Sequence, residues 1–190
     1  MTKTKILHLA ICGAMASLCG GAEAPAPTVT FMKHSYRLGS YNQKPNPMWE
    51  FAPPGETMDN WSSLVTIIDR PDARTLPEMD RLAEGIMSTY KSAGGRILLA
   101  KSMRNEAGVT FNYMLAAFEE PDKKRFELNF VKAALGSKNT YVMIYGVRIT
   151  DPKDYRSKAK EFLDQHSGEV GQALGNGAPP DLTTLPRRVF

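Results

Sequence analysis

The stretches that decide the fold are RILLAKSM at residues 96–103, VTFNYMLAAFE at 109–119, FELNF at 126–130 and YVMIYGVRI at 141–149. The second and third of them alternate apolar and polar side chains, which is typical of a strand with one buried face. Between these stretches lie the short turn sequences NEAG at 105–108, PDK at 121–123 and GSKN at 136–139. Strands joined by such short turns pair antiparallel, because parallel pairing needs a long crossover connection. The sequence therefore predicts a four-stranded antiparallel meander.

A helix is predicted immediately before the meander. TLPE at residues 75–78 fits a capping box, in which the Thr75 hydroxyl accepts from an amide of the first turn and Glu78 reaches back to the cap. Gly94 and Gly95 are expected to end the helix, since glycine tolerates the left-handed conformation of a C-cap. The apolar residues between them recur at helical spacing and form one stripe: Leu76, Met79, Leu82, Ala83, Ile86 and Tyr90.

A second helix is predicted after the meander. Asp151 and Pro152 suit the cap and the first helical position, and Gly168 is expected to end or weaken the helix. Val170 and Leu174 leave open a second short helical piece beyond it. The apolar stripe of this helix is Tyr155, Ala159, Phe162, Leu163 and His166.

Three further β segments are predicted before the first helix. Residues 28–41 contain β-forming residues and indicate a first strand, and residues 48–52 indicate a short one that ends at a Pro-Pro-Gly sequence. Because proline cannot donate to a strand ladder, this short strand is expected to be brief or at a sheet edge. Residues 64–68 (LVTII) are a strong third β segment.

Strands and helices are thus segregated along the chain, which predicts an α+β fold with an antiparallel sheet covered by two main helices. A length of 190 residues is enough for one domain with a core that needs no disulfide. We place this single domain at residues 25–167. Residues 168–190 include the linker-like sequence GNGAPP and are predicted to be a flexible C-terminal tail.

Residues 1–24 have the order of a secretory signal peptide. A short positive start is followed by a largely apolar run at residues 6–18 and by the small-residue sequence AEA at 22–24. The run is too short for a membrane-spanning helix, which needs about twenty apolar residues. The protein is therefore predicted to be exported, periplasmic or secreted, and not to span the membrane. The cleavage position stays open.

Both cysteines of the chain, Cys12 and Cys19, lie within this predicted signal. The bulky residues Ile11 and Leu18 precede them, whereas lipid attachment favours a small residue there, so a lipoprotein is less expected than simple cleavage. The exported part would then contain no thiol. That absence excludes disulfides, thiolate metal sites and cysteine nucleophiles from the predicted domain.

The net charge of +4 and the scarcity of histidine narrow the expected partners. Basic residues are spread along the chain and do not form the clustered basic face of a nucleic-acid-binding protein, so nucleic acid is not an expected partner. After residue 24 the histidines are His34 and His166, which are far apart in sequence, whereas zinc requires three or four ligands. No phosphate-binding, dinucleotide or EF-hand motif is present. Neither a metal nor a cofactor is predicted.

Two resemblances to known families add to this interpretation. The element order over residues 28–167, with TYVMIYG at 140–146 as the last strand and residues 154–165 as the terminal helix, resembles the PsbP-like α/β/α sandwich. That resemblance implies an accessory or interaction role and carries no active-site residues. The string PGETMDNWSSLVT at residues 54–66 is similar to one found in uncharacterised exported bacterial proteins and implies no activity.

The candidate binding residues lie in and near the second string. Trp61 is expected to pack at a structural corner or, alternatively, to line a groove with Trp49, with Glu56 and Asp59 at the rim and Asn60 in the adjoining turn. An aromatic platform with acidic neighbours suits a sugar ring or a peptide. A protein or glycan of the cell envelope is therefore the expected partner, and the oligomeric state stays open.

The preferred functional hypothesis is a non-enzymatic binding or accessory module of the cell envelope that uses the Trp49 and Trp61 region or an exposed sheet edge. The alternative is a small exported hydrolase whose acid–base pair comes from Glu56, Asp59 or His34. Catalysis would require His34 to meet a nucleophile and an orienting acid, and the sequence contains no nucleophile-elbow motif. No catalytic residue is therefore assigned.

Overall fold

Eight strands form one antiparallel sheet in the computed structural model, which describes residues 26–178 and 181–187. Along the chain the elements are β1 (Thr28–Phe31), β2 (His34–Asn42), β3 (Met48–Ala52), β4 (Ser63–Arg70), α1 (Leu76–Ser92), β5 (Arg96–Arg104), β6 (Thr110–Glu120), β7 (Arg125–Leu135), β8 (Thr140–Thr150) and α2 (Tyr155–Asn176). The strand order across the sheet is β1-β2-β3-β4-β8-β7-β6-β5. The predicted α+β class and the predicted meander, β5 to β8, are confirmed. The predicted signal peptide lies outside the described residues.

The start and end of α1 follow the predicted capping pattern. Thr75 is the N-cap, its side chain accepts from the Glu78 amide, and the Glu78 carboxylate accepts from the Thr75 amide at 3.0 Å. At the other end Gly94 has a φ of +88°, and Gly95 donates to the Tyr90 carbonyl as in a Schellman motif. Local sequence signals therefore fix both ends of this helix.

The two helices cover opposite faces of the sheet. We call the face under α2 the aromatic face, because rings dominate its core. Successive strand residues point to opposite faces, so Phe130 packs on the aromatic face while its neighbour Val131 packs under α1. The buried rings of the aromatic face are Phe31, Tyr36, Trp49, Phe51, Phe111, Tyr113, Phe126, Phe130 and Tyr141.

The face under α1 has a smaller core, and we call it the groove face. Near the β3–β4 connection the same face carries a separate cluster of Ala52, Trp61 and Leu64. None of the described helices is both long and apolar enough to span a bilayer. The side chains of the core under α1 are Ala73, Met79, Leu82, Met114, Ala116, Val131, Ala133 and Val142.

The prediction of one strand at residues 28–41 is wrong, because this segment is the hairpin β1–β2. Met32 and Lys33 form its two-residue turn, and both have positive φ values, 48° and 67°. Two positive φ values are typical of a type I′ turn, whose twist suits a tight hairpin. Neither residue is Gly, Asn or Asp, so the sequence contains no sign of the turn. The strand predicted at 48–52 is brief, as expected, but it lies inside the sheet between β2 and β4.

The start of α2 lies beyond the predicted cap. Asp154, and not Asp151, is the N-cap, and its carboxylate accepts from the Ser157 amide. Asp151 instead accepts from the amides of Lys153 and Asp154 in the turn that precedes the helix. The predicted cap therefore stabilises the approach to the helix and not its first turn.

The end of α2 also differs from the prediction. The helix continues through Gly168 to Asn176, so the expected end at Gly168 is wrong. Val170 and Leu174 are 0% and 1% exposed and pack in the core of the aromatic face. Their burial outweighs the low helix propensity of Gly168, Gly171 and Gly175, each of which costs about 1 kcal/mol relative to alanine.

Part of the predicted tail packs against the aromatic face. We call residues 181–187 the C-terminal strap. Leu182 and Leu185 lie partly buried against the core, and the Pro186 carbonyl accepts a hydrogen bond from the Trp49 indole at 2.5 Å. Residues beyond 167 therefore contribute both a helix end and a strap to the packing of the domain.

Candidate functional site

Trp61 lies in a closed corner on the groove face. Its side chain is only 7% exposed, and the Arg148 guanidinium carbon lies 3.6 Å from the centroid of its ring. On its other side the indole lies close to β8 at Gly146. A Cβ atom at this position would lie 3.3 Å from the indole and 3.1 Å from the Asn129 side chain, so glycine permits the close contact. The ring is therefore held between the sheet and an arginine rather than presented to solvent.

Arg148 fixes the loop that contains Trp61. Its Nη1 donates to the Asp59 carbonyl at 3.3 Å, and its Nε donates to the Glu127 carboxylate at 3.4 Å. Asn129 donates to the other Glu127 oxygen at 3.2 Å. Burial lowers the pKa of Arg148, and the nearby Glu127 carboxylate opposes this shift. This cluster links β7, β8 and the β3–β4 loop.

The remaining predicted loop residues are also engaged within the loop. Both carboxylate oxygens of Glu56 accept from Ser62, one from its amide at 2.6 Å and the other from its hydroxyl at 2.7 Å. The Asn60 amide donates to the Thr57 side chain at 3.3 Å. Glu56, Asp59, Asn60 and Trp61 are therefore neighbours, as the sequence suggests, but their contacts stabilise the loop.

Trp49 lies on the other side of the sheet from Trp61. It is 0% exposed, packs in the core of the aromatic face, and stacks against Tyr41 with ring centroids 5.4 Å apart. The strap carbonyl of Pro186 covers its indole nitrogen. The structure therefore does not bring the two tryptophans into one groove.

His34 lies exposed at the start of β2. Among the described residues it makes no hydrogen bond to a carboxylate or a hydroxyl. Glu56 directs both of its oxygens to Ser62, and Asp59 contributes its backbone carbonyl to Arg148. The described geometry does not assemble these three residues into an acid–base pair with a nucleophile.

Lys132 is a buried amine on the aromatic face. It is 3% exposed, and its Nζ donates to the Leu174 and Gly175 carbonyls at 2.8 and 3.2 Å. A third acceptor is the Gly177 carbonyl at 3.4 Å. Burial lowers the pKa of Lys132 to about 8. The amine caps the end of α2, where cations are favoured by the helix dipole.

The outer edge of β5 is the most open part of the sheet. Seven of the nine side chains of β5 are exposed, including Leu98 at 45% and Leu99 at 41%. No described strand pairs with this edge, whereas the opposite edge strand, β1, has only four residues. A long, exposed and partly apolar edge is a template for a further strand.

A groove of about 370 Å³ adjoins this edge between α1, β5 and β6, and we call it the edge groove. Met114, Val131 and Ala133 line its apolar part. Asp80 and Glu84 of α1 line it as exposed carboxylates, and Asp80 accepts a hydrogen bond from the side-chain Nδ2 of Asn112 at 2.7 Å. The edge groove therefore joins an apolar surface to two acidic groups beside unpaired backbone.

A second groove of about 600 Å³ lies on the other side of α1, over β4 and β8. Its basic residues include Arg70, which already forms a bidentate pair with Asp72 at 2.8 and 2.6 Å. The strands below it are paired on both sides. Unlike the edge groove, this inner groove does not adjoin a strand with an unpaired edge.

The residues of the edge groove were not among those selected from the sequence. These residues come together because the strand order places β5 at the edge of the sheet and because one side of α1 lies next to β5. The only sequence signal is the pair Asp80 and Glu84, one helical turn apart beside an apolar stripe. No known protein-family model matches the sequence, and no curated protein matches it.

Proposed function

We propose that this protein is an exported, non-enzymatic binding module that accepts an extended segment of an envelope protein as an added strand along β5. The observation that carries the proposal is the nine-residue edge of β5, which is exposed, partly apolar and unpaired among the described residues. Strand addition supplies main-chain hydrogen bonds for affinity, and neighbouring pockets supply specificity.

The charges of β5 favour a different protein over a second copy of this one. Arg96, Lys101 and Arg104 are its charged residues, and all are basic. Antiparallel pairing of two β5 strands would bring the three cations of each copy to one shared edge, with no anion from either strand. Like charges close together across a strand pair destabilise it.

Two features of the sequence support the accessory and exported parts of the proposal. The first is the signal-like order of residues 1–24, which favours a periplasmic or secreted location. The second is the resemblance to the PsbP-like sandwich, which suggests an interaction role and no catalysis. The sugar-binding version of the hypothesis has less support, because Trp61 and Trp49 are both buried.

A peptide-display selection tests strand addition directly. Random nine-residue peptides are selected against the full chain, and the affinity of the enriched peptides is measured by fluorescence polarisation. The variants are Lys101→Pro and Ser102→Pro, with Lys101→Thr and Ser102→Thr as matched controls. Adjacent strand residues direct their amides to opposite edges, so one proline removes an outward amide and the other removes a bond to β6.

We expect the proline at the outward amide to keep the native circular dichroism spectrum and to weaken peptide binding at least tenfold relative to its threonine control. Peptides that bind this folded proline variant as tightly as the control would show that they do not add to β5. A selection that enriches no peptide at all would also contradict the proposal.

A further inference from the structure

We propose that the edge groove is the specificity pocket of the strand-binding site and that it takes a lysine or arginine side chain of the added strand. This inference rests on the proposed function. It adds the chemistry of one partner residue to a site that is otherwise defined by backbone pairing.

The edge groove is open toward the outer edge of β5. Ala100 pairs with Met114 and Ser102 pairs with Asn112, so both belong to the row of β5 that faces α1. Alanine and serine are the smallest side chains of the strand. A long side chain from an added strand can therefore pass over them into the groove, because neighbouring strands lie only about 4.8 Å apart.

Lys101 also borders the edge groove but belongs to the other row of β5. Its cross-strand partner is Tyr113, whose ring packs in the core of the aromatic face. By the alternation of strand residues, the Lys101 side chain extends on that same face. Among the described residues, its ammonium forms no ion pair with either carboxylate of the α1 side.

The carboxylates of the groove have unused hydrogen-bonding capacity. Asp80 accepts one bond through Oδ1, and its other oxygen has no donor among the described residues. The Glu84 carboxylate makes no ion pair or hydrogen bond with any described residue. Both are on the α1 wall, one helical turn apart and on the same side of the helix. Two such groups attract a cation and repel an anionic side chain.

The apolar part of the groove selects a cation with a long stem. Met114, Val131 and Ala133 provide a surface against which methylene groups can be buried. Lysine and arginine bury apolar stems while their charged heads remain hydrated or paired. Norleucine would fill the same surface without reaching a carboxylate partner, and glutamate would add a third negative charge.

The test uses the peptides enriched by display that lose affinity in the outward proline variant. In each, every lysine or arginine is replaced in turn by norleucine, and binding is measured to wild type, Glu84→Gln and Asp80→Asn. Asp80→Asn removes the charge but keeps a side-chain oxygen that can accept the hydrogen bond from Asn112 Nδ2. Glu169→Gln is the matched control, because Glu169 is exposed on α2 at the opposite face.

We expect one basic position whose replacement weakens binding to wild type at least tenfold and weakens binding to Glu84→Gln or Asp80→Asn less than threefold. Glu169→Gln should behave as wild type. Edge-dependent peptides with no such coupled position would overturn the pocket inference and leave strand addition intact. If no peptide depends on the β5 edge, both the pocket and the proposed function are wrong.

Discussion

The two faces of the sheet differ in how their side chains are packed. On the aromatic face, large rings, α2 and the C-terminal strap fill the space above the strands. On the groove face, small side chains and the single helix α1 leave a groove on each side of that helix. Alternate residues of the same strands build both faces. The comparison indicates that the larger packed core lies on one face, while the groove of the proposed binding site lies on the other.

The largest expected loss of stability distinguishes two adjacent residues of β7 whose side chains point to opposite faces. Phe130→Ala should lower the free energy of unfolding by about 4 kcal/mol, because the ring is 0% exposed and contacts Tyr145 and Phe162. Val131→Ala on the groove face should cost about 2 kcal/mol, since fewer buried atoms are removed. Urea denaturation followed by circular dichroism measures both. Equal losses would contradict this difference in packing between the faces.

The next prediction concerns the Arg148 cluster and tests whether its ion pair and hydrogen bonds stabilise the groove face. Arg148→Met keeps an apolar stem near Trp61 but leaves Glu127 without its arginine and Asp59 without its donor. We expect a loss of about 3 kcal/mol in urea denaturation, as for other pairs broken on one side while buried.

The control for this change is Arg156→Met. Arg156 pairs with Glu119 at 2.6 Å, but its side chain is 68% exposed, compared with 5% for Arg148. An exposed pair contributes less than about 1 kcal/mol. If the two substitutions cost the same, the Arg148 cluster does not organise the groove face.

A smaller effect concerns the buried amine of the aromatic face. The pKa of Lys132 is about 8 in the folded protein because of burial, against about 10.5 in the unfolded chain. Between these values the unfolded chain binds more protons, so the free energy of unfolding should increase as pH rises. From about pH 7.5 to 9.5 the increase should be on the order of 2 kcal/mol.

Lys132→Met should abolish this increase, whereas Lys138→Met, at an exposed lysine of the β7–β8 turn, should retain it. The measurement stops below pH 10, the ordinary pKa of tyrosine, because burial raises the pKa of Tyr113 and Tyr141 to about 12 in the folded protein. At higher pH these tyrosines ionise first in the unfolded chain, which lowers stability. A wild-type protein whose stability is constant over this range would contradict the assignment.

Elements with local signals are the ones that the sequence predicted well. The capping box at Thr75, the Schellman motif at Gly94 and the alternation in β6 and β7 each depend on residues close together in the chain. The β1–β2 turn at Met32 and Lys33 is held by strand pairing instead, so nothing in those two residues indicated it. The helix beyond Gly168 depends on burial against distant strands.

In the candidate site, too, the contacts between adjacent residues were predicted and those between distant residues were not. The sequence indicated that Glu56, Asp59, Asn60 and Trp61 share one loop, because they are adjacent. It did not indicate that Arg148 of a distant strand would cover the tryptophan. An exposed sheet edge was expected as one possible binding surface, but only the strand order shows that β1 and β5 are the two edges and that β5 is the longer one. Contacts between residues far apart in the chain are not visible in local patterns.

The smallest expected effect concerns one buried hydroxyl on each face. Thr140 on the groove face and Tyr41 on the aromatic face have buried oxygens with no hydrogen-bond partner among the described residues. A buried hydroxyl without a partner is destabilising, so Thr140→Val and Tyr41→Phe should each raise the free energy of unfolding by about 1 kcal/mol. The Thr140 amide keeps its bond to the Ala73 carbonyl at 2.7 Å in the valine variant. Similar gains in thermal denaturation would show that the faces differ in side-chain volume and not in how they satisfy polar groups. A gain on one face alone would instead place part of the difference in polar contacts.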